Sequence, residues 1–85
     1  MSEVEIEKGK KRFIEIVQQH SPSVRVNISG SSQGRHKVLF IGRRSTSRVI
    51  DEDDFADLGS NGGRLADVTG RIKEALQEIG ELNRP

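Results

Sequence analysis

SPSVRVNISGSSQGRHKVLFIGRRSTSRVI, running from Ser21 to Ile50, is the stretch whose reading decides the fold. Val24, Val26 and Ile28 alternate with Arg25, Asn27 and Ser29, the period-two pattern of a strand that buries one face. GSSQG (30–34) has the composition of a turn. His36 to Ile41, HKVLFI, carries apolar residues on both faces, as suits a central strand. Gly42-Arg43-Arg44-Ser45 makes a second turn, and Thr46 to Ile50 a short third strand. Three consecutive strands joined by short turns predict an antiparallel meander.

Amphipathic segments lie on both sides of it. In residues 2–20, Ile6, Phe13 and Val17 share one helical stripe, flanked by Ile14 and Ile16, and Ser2 with Glu5 fits an S-x-x-E capping box. Two readings stay open there. Gly9 costs about 1 kcal/mol against alanine inside a helix, and Val4-Glu5-Ile6-Glu7 alternates like a strand, so a short strand followed by a helix from Lys10 is the alternative. Pro22 ends the segment, because the residue before a proline is pushed out of the helical region. Residues 64–82 form the clearest helix, with Leu65, Val68, Ile72, Leu76 and Ile79 on one stripe. The acidic stretch 51–57 suits one helical turn or a solvated loop, and GSNGG (59–63) a flexible loop. The expectation is one α+β domain over residues 1–85. Its order is α-β-β-β-α: a small three-stranded antiparallel sheet with two helices packed on one face.

Charge is sorted along the chain. The formal net charge is only +1, so the whole-molecule field is weak. Yet no acidic residue lies between Glu15 and Asp51, a gap that holds Arg25, Arg35, Lys37, Arg43, Arg44 and Arg48. Five acids then fall within the seven residues DEDDFAD. The basic β segment points to a polyanionic partner, an RNA or DNA backbone. Arg35, Lys37, Arg43, Arg44 and Arg48 are the candidate phosphate contacts, helped by Lys8, Lys11 and Arg12 from the first helix. With no Trp, no Tyr and three Phe, the chain lacks the stacking platforms of single-strand binders.

Other chemistries are excluded or thinly marked. Without cysteine there is no thiolate catalysis, no disulfide and no Cys-ligated zinc. Gly30-Ser31-Ser32-Gln33-Gly34 matches G-x-S-x-G, but that motif needs a strand-turn-helix on a large sheet and here lies between two strands. The 51–57 acids fail the calcium-loop pattern, since Ala56 stands where glycine is required. No metal and no cofactor is expected. His20, at a helix end, fits a cap favourable to the helix dipole. His36 is the one candidate acid–base group in the basic segment.

Gly34-Arg35-His36-Lys37-Val38-Leu39-Phe40, a glycine-basic-histidine turn leading into an apolar strand, is similar to the HicA-type toxins of toxin–antitoxin systems. The α-β-β-β-α order itself resembles the double-stranded-RNA-binding-domain fold of that family. The resemblance implies a metal-independent messenger-RNA interferase whose catalytic histidine is His36, with Arg35 standing where the family has serine. It also implies a double-stranded-RNA-binding-like surface.

The expected function is therefore a small nucleic-acid-binding domain, RNA favoured over DNA, with a HicA-like ribonuclease as its enzymatic form. The alternative is a protein-interaction or assembly module, such as a phage or plasmid accessory protein. It would bind a protein partner or form a homodimer along Leu65, Val68, Ile72, Leu76 and Ile79. A charged N-terminus without an apolar run predicts a cytoplasmic protein with no membrane partner.

Overall fold

The computed structural model describes residues 3–82, and the candidate capping box at Ser2 lies outside them. The chain runs α1 (Glu3–His20), β1 (Arg25–Ser32), β2 (Arg35–Ile41), β3 (Ser45–Asp51), α2 (Glu52–Leu58) and α3 (Leu65–Glu78). The strands pair in chain order, β1-β2-β3, and both ladders are antiparallel. The α+β class and the meander stand as expected, but the helical layer holds three helices rather than two. The added one is α2, built from the acidic run. The strand alternative for Val4–Glu7 is overturned, because α1 is continuous from Glu3.

The β1–β2 turn closes in two residues, with Gln33 at φ 55° and Gly34 at φ 75°, the left-handed pair that matches the twist of a tight hairpin. Strand β1 therefore extends through Ser32, beyond the expected turn at Gly30. Between Ile28↔Val38 and Ser31↔His36 the register slips by one, so Ser29 and Gly30 together oppose Lys37 as a bulge. Glu52 donates its backbone N–H to Gly34 O at 2.8 Å, which pins the hairpin tip against the start of α2.

Parity along the strands sorts the two faces of the sheet. Val26, Ile28, His36, Val38, Phe40, Thr46, Arg48 and Ile50 point to the helices, while Arg25, Asn27, Lys37, Leu39, Ile41, Ser47 and Val49 point away. Phe13 is the hub of the core: its ring lies 6.0 Å from Phe40 and 5.6 Å, edge-on, from Phe55. Val17, Val38, Ile50, Val68, Ile72 and Leu76 complete a continuous buried cluster. The same cluster takes up Leu65 in part and Ile79 almost fully, so the whole candidate dimer stripe of α3 is spent within this chain.

Helices α1 and α2 cross on glycine. A Cβ on Gly9 would lie 2.8 Å from Phe55 Cα and nearer still to its carbonyl, and one on Gly59 would lie 2.9 Å from Gly9 N. Two backbones thus meet without side chains between them. That explains a glycine inside a helix whose propensity it lowers. The 59–63 segment is likewise ordered by specific bonds: Asp57 O accepts from Gly62 N at 2.7 Å and Asp57 Oδ2 accepts from Arg64 N at 2.6 Å. Among the described residues no helix is long and apolar enough to cross a membrane.

Candidate nucleic-acid interface

The three helices of the described residues cover one face of the sheet, and those residues leave the other open. Cross-strand register arranges it in rows: Arg25, Ile41 and Ser45; then Asn27, Leu39 and Ser47; then Lys37 and Val49; then Arg35 and Asp51. Arg43 and Arg44 project from the β2–β3 turn at the end of this surface. Five cations therefore border an uncovered face whose strands bear a single acid, Asp51, which sits 3.9 Å from Arg35. Arg25, Lys37, Arg43 and Arg44 have no carboxylate within 4.0 Å among the described residues, so their charges face solvent. Val49, 59% exposed, and Ile41, 38% exposed, lie among them, and a depression of about 350 Å³ opens between Gly30, Ser32, Gln33, Arg35, His36, Lys37 and Val49.

The candidate phosphate contacts do not all converge. Arg35 and Lys37 lie on the open side of the sheet, and Arg43 and Arg44 stand in the turn at its end. Arg48 points the other way and is bound by Glu78 of α3, with further bonds to Thr46 Oγ1 and Ser47 O at 2.9 Å. The hydrogen bond and charge of Arg48 hold the Glu78 carboxyl below its ordinary pKa. Lys8 and Lys11 are exposed on α1 on the side turned from its buried stripe of Gly9, Phe13, Ile16 and Val17, which puts them across the molecule from the open face. Arg12 pairs instead with Glu15 at 3.8 Å. Arg25 is the cation missing from the candidate set. Its alternation with buried Val24 and half-buried Val26 was the available signal.

His36 lies inside. Only 5% of its side chain is exposed, and its ring meets Phe55 edge-on at 5.4 Å. Nδ1 is 3.3 Å from Ser29 O, the carbonyl that the β1 bulge turns inward, and Nε2 is 3.6 Å from Glu52 Oε1, beyond hydrogen-bond reach. An imidazole in this setting supports the packing of α2 on the sheet. His20, at the other end of the core, holds Ile16 O through Nδ1 at 2.9 Å.

The acidic run is not one patch. Asp54 is buried and gripped by Arg64 at 3.1 Å and Arg71 at 3.4 Å, which joins α2 to α3. That hydrogen bond, with the charge of Asp54, raises the Arg64 pKa above its ordinary value. Arg71 also reaches Asp67 at 3.0 Å. Asp51 and Glu52 face Arg35 and His36, and Asp57 caps the following loop. The acids therefore work mainly within the helical layer and leave most of the basic face unneutralised. No group of three or more His, Asp or Glu placed to hold a metal ion occurs among the described residues.

Comparison with known proteins returns no match: no family model fits the chain, and no curated protein or solved structure is significantly similar to it.

Proposed function

We propose that this chain binds a nucleic-acid backbone, duplex RNA ahead of DNA, across the open face of its sheet and the 42–44 turn. One observation carries the reading: Arg25, Arg35, Lys37, Arg43 and Arg44 edge a face that the described residues leave uncovered and whose strands bear one acid. Phe13, Phe40 and Phe55 are each at most 1% exposed, so no ring is left for stacking unpaired bases. An open sheet face without aromatics suits the wide, shallow minor groove of an RNA duplex better than a deep major groove. Cleavage in the manner of HicA-type toxins is not part of this reading, because the His36 imidazole is packed beneath Phe55 instead of facing the basic surface.

The test is a salt titration of binding to labelled duplex RNA, duplex DNA and single-stranded RNA. Two double variants accompany the wild type: Arg43→Ala with Arg44→Ala, and Lys8→Ala with Lys11→Ala. The first is expected to lower the salt slope by roughly 0.7 to 0.9 per lost contact, and the second to leave it unchanged. Absence of binding to every probe at low salt overturns the proposal, and equal loss in the two variants overturns the assignment of the face. Exposed Val49 and Ile41 amid the cations favour a second reading, an acidic protein partner on the same face. Its signature is the first of these outcomes together with a salt-sensitive protein complex that the Arg43/Arg44 variant weakens.

A further inference from the structure

A groove of about 530 Å³ lies where the sheet ends beside the end of α3, lined by Ser23, Arg25, Ile41, Gly42, Arg43 and Glu81. Glu81 is its one acid, and it is placed there by the stop signal of α3. Gly80, at φ 71°, turns the chain, while Gly80 N donates to Gln77 O at 3.1 Å and Glu81 N to Leu76 O at 2.8 Å. This paired closure fixes where residue 81 leaves the helix. From there the Glu81 side chain crosses to the β2–β3 turn, where its Oε2 accepts the backbone N–H of Arg43 at 3.3 Å. The side chain lies close over the turn: a Cβ at Gly42 would lie 2.8 Å from Glu81 Cγ and 2.9 Å from its Cδ, so a larger residue there would push the Glu81 side chain aside.

A carboxylate oxygen held by a backbone N–H, in a groove edged by two arginines that have no carboxylate within 4.0 Å among the described residues, occupies the position a phosphate oxygen would take. We infer that this groove is an oxyanion site for one phosphate, formed by the Arg43 N–H with Arg25 and Arg43, and that Glu81 is its resident competitor. The identity of the ligand as a nucleic-acid phosphate rests on the function proposed above. The site itself rests only on the groove and its occupant. Polyanion binding then requires the Glu81 side chain to swing off Arg43 N, and the chain carries a built-in brake on its own affinity.

The experiment compares wild type with Glu81→Ala, with Glu74→Ala, which removes one exposed acid of α3 elsewhere, and with Glu81→Ala/Arg43→Ala. Two probes are used: labelled duplex RNA, followed by affinity and salt slope, and inorganic pyrophosphate, followed by backbone amide shifts of Gly42 and Arg43. Glu81→Ala is expected to bind RNA about two- to five-fold more tightly than both wild type and Glu74→Ala, the scale of one exposed charge contact. The added Arg43→Ala cancels the gain. Pyrophosphate is expected to move the two amides at lower concentration in Glu81→Ala than in wild type. Equal RNA affinity of Glu81→Ala and Glu74→Ala, with amides that respond no more readily, overturns the competitor while leaving RNA binding intact. Pyrophosphate response at the two amides with no RNA binding in any variant supports the anion site and removes the nucleic-acid reading. Pyrophosphate shifts confined to other residues overturn the site.

Discussion

Replacing Gly9 by alanine adds one methyl to the middle of α1, a change that in an isolated helix is favourable by about 1 kcal/mol. Here the methyl has nowhere to go. It would lie 2.8 Å from Phe55 Cα and closer to the Phe55 carbonyl, and the obstructing atoms are backbone, which cannot rotate aside as a side chain would. The helices must separate, and the Phe13–Phe55 edge contact at 5.6 Å opens with them. Overpacking of this kind costs about 1–3 kcal/mol, and a rigid wall with Gly59 also pressed against α1 places it at the upper end. With the propensity gain subtracted, Gly9→Ala is expected to destabilise by about 2 kcal/mol. At roughly 4–8 °C per kcal/mol for a domain of this size, melting falls by about 8–16 °C. Gly70→Ala is the internal control. A Cβ there meets nothing within 4 Å, so the propensity term acts alone and melting rises by a few degrees. Thermal unfolding by circular dichroism reads both. If the two variants shift melting in the same direction, the close glycine crossing is not what holds α1 to α2.

Three other perturbations have signed outcomes. Asp54→Ala leaves Arg64 and Arg71 without their shared buried acceptor and is expected to lower stability by about 1.5–3 kcal/mol in a urea melt. Glu78 has a depressed pKa in the folded protein through its Arg48 hydrogen bond, so its stabilising contribution is present at neutral pH and is lost as pH falls through and below its ordinary value of 4.5. A difference in melting between wild type and Glu78→Gln that narrows on acidification checks this, and one that widens refutes it. His36→Ala removes the ring packed on Phe55 and is expected to cost about 2–4 kcal/mol, the range for truncating a buried side chain. RNA affinity below the melting transition stays unchanged, whereas abolished RNA cleavage with unaltered melting would restore His36 to a catalytic role.

The meander was legible because its strands alternate cleanly. Val24, Val26 and Ile28 named the buried side of β1, and a glycine-bearing turn closed the hairpin. Helix α2 was only half legible: 51–57 suited one helical turn or a solvated loop, and seven residues cannot sustain a helix alone. It stands because Phe55 enters the core and Gly59 and Gly9 let it lie against α1, contacts about fifty residues apart in the chain. The site was half legible. Arg48 was misplaced because it was grouped with the other cations by charge alone, without assigning the faces of the third strand. The inward side of β3 is in fact set by Ile50, and alternation back from Ile50 turns Arg48 inward and leaves Val49 exposed. Lys8 and Lys11 could not be separated from the basic face, since nothing in their local pattern says which side of the sheet the first helix covers.

The order in which the strands pair also governs how the chain assembles. A meander joins only neighbours in sequence, so β1, β2 and β3 zip across a two-residue turn and a three-residue turn at small entropic expense. The Gly9–Gly59 crossing must instead close a loop that contains the entire sheet, and it is expected to form after the rate-limiting barrier. Alanine at position 9 then leaves the refolding rate near that of wild type and acts almost wholly by hastening unfolding, while mutations at Val38 or Phe40 slow refolding. The joint that fixes the final architecture is thus a latch on the native state, closed last and released first.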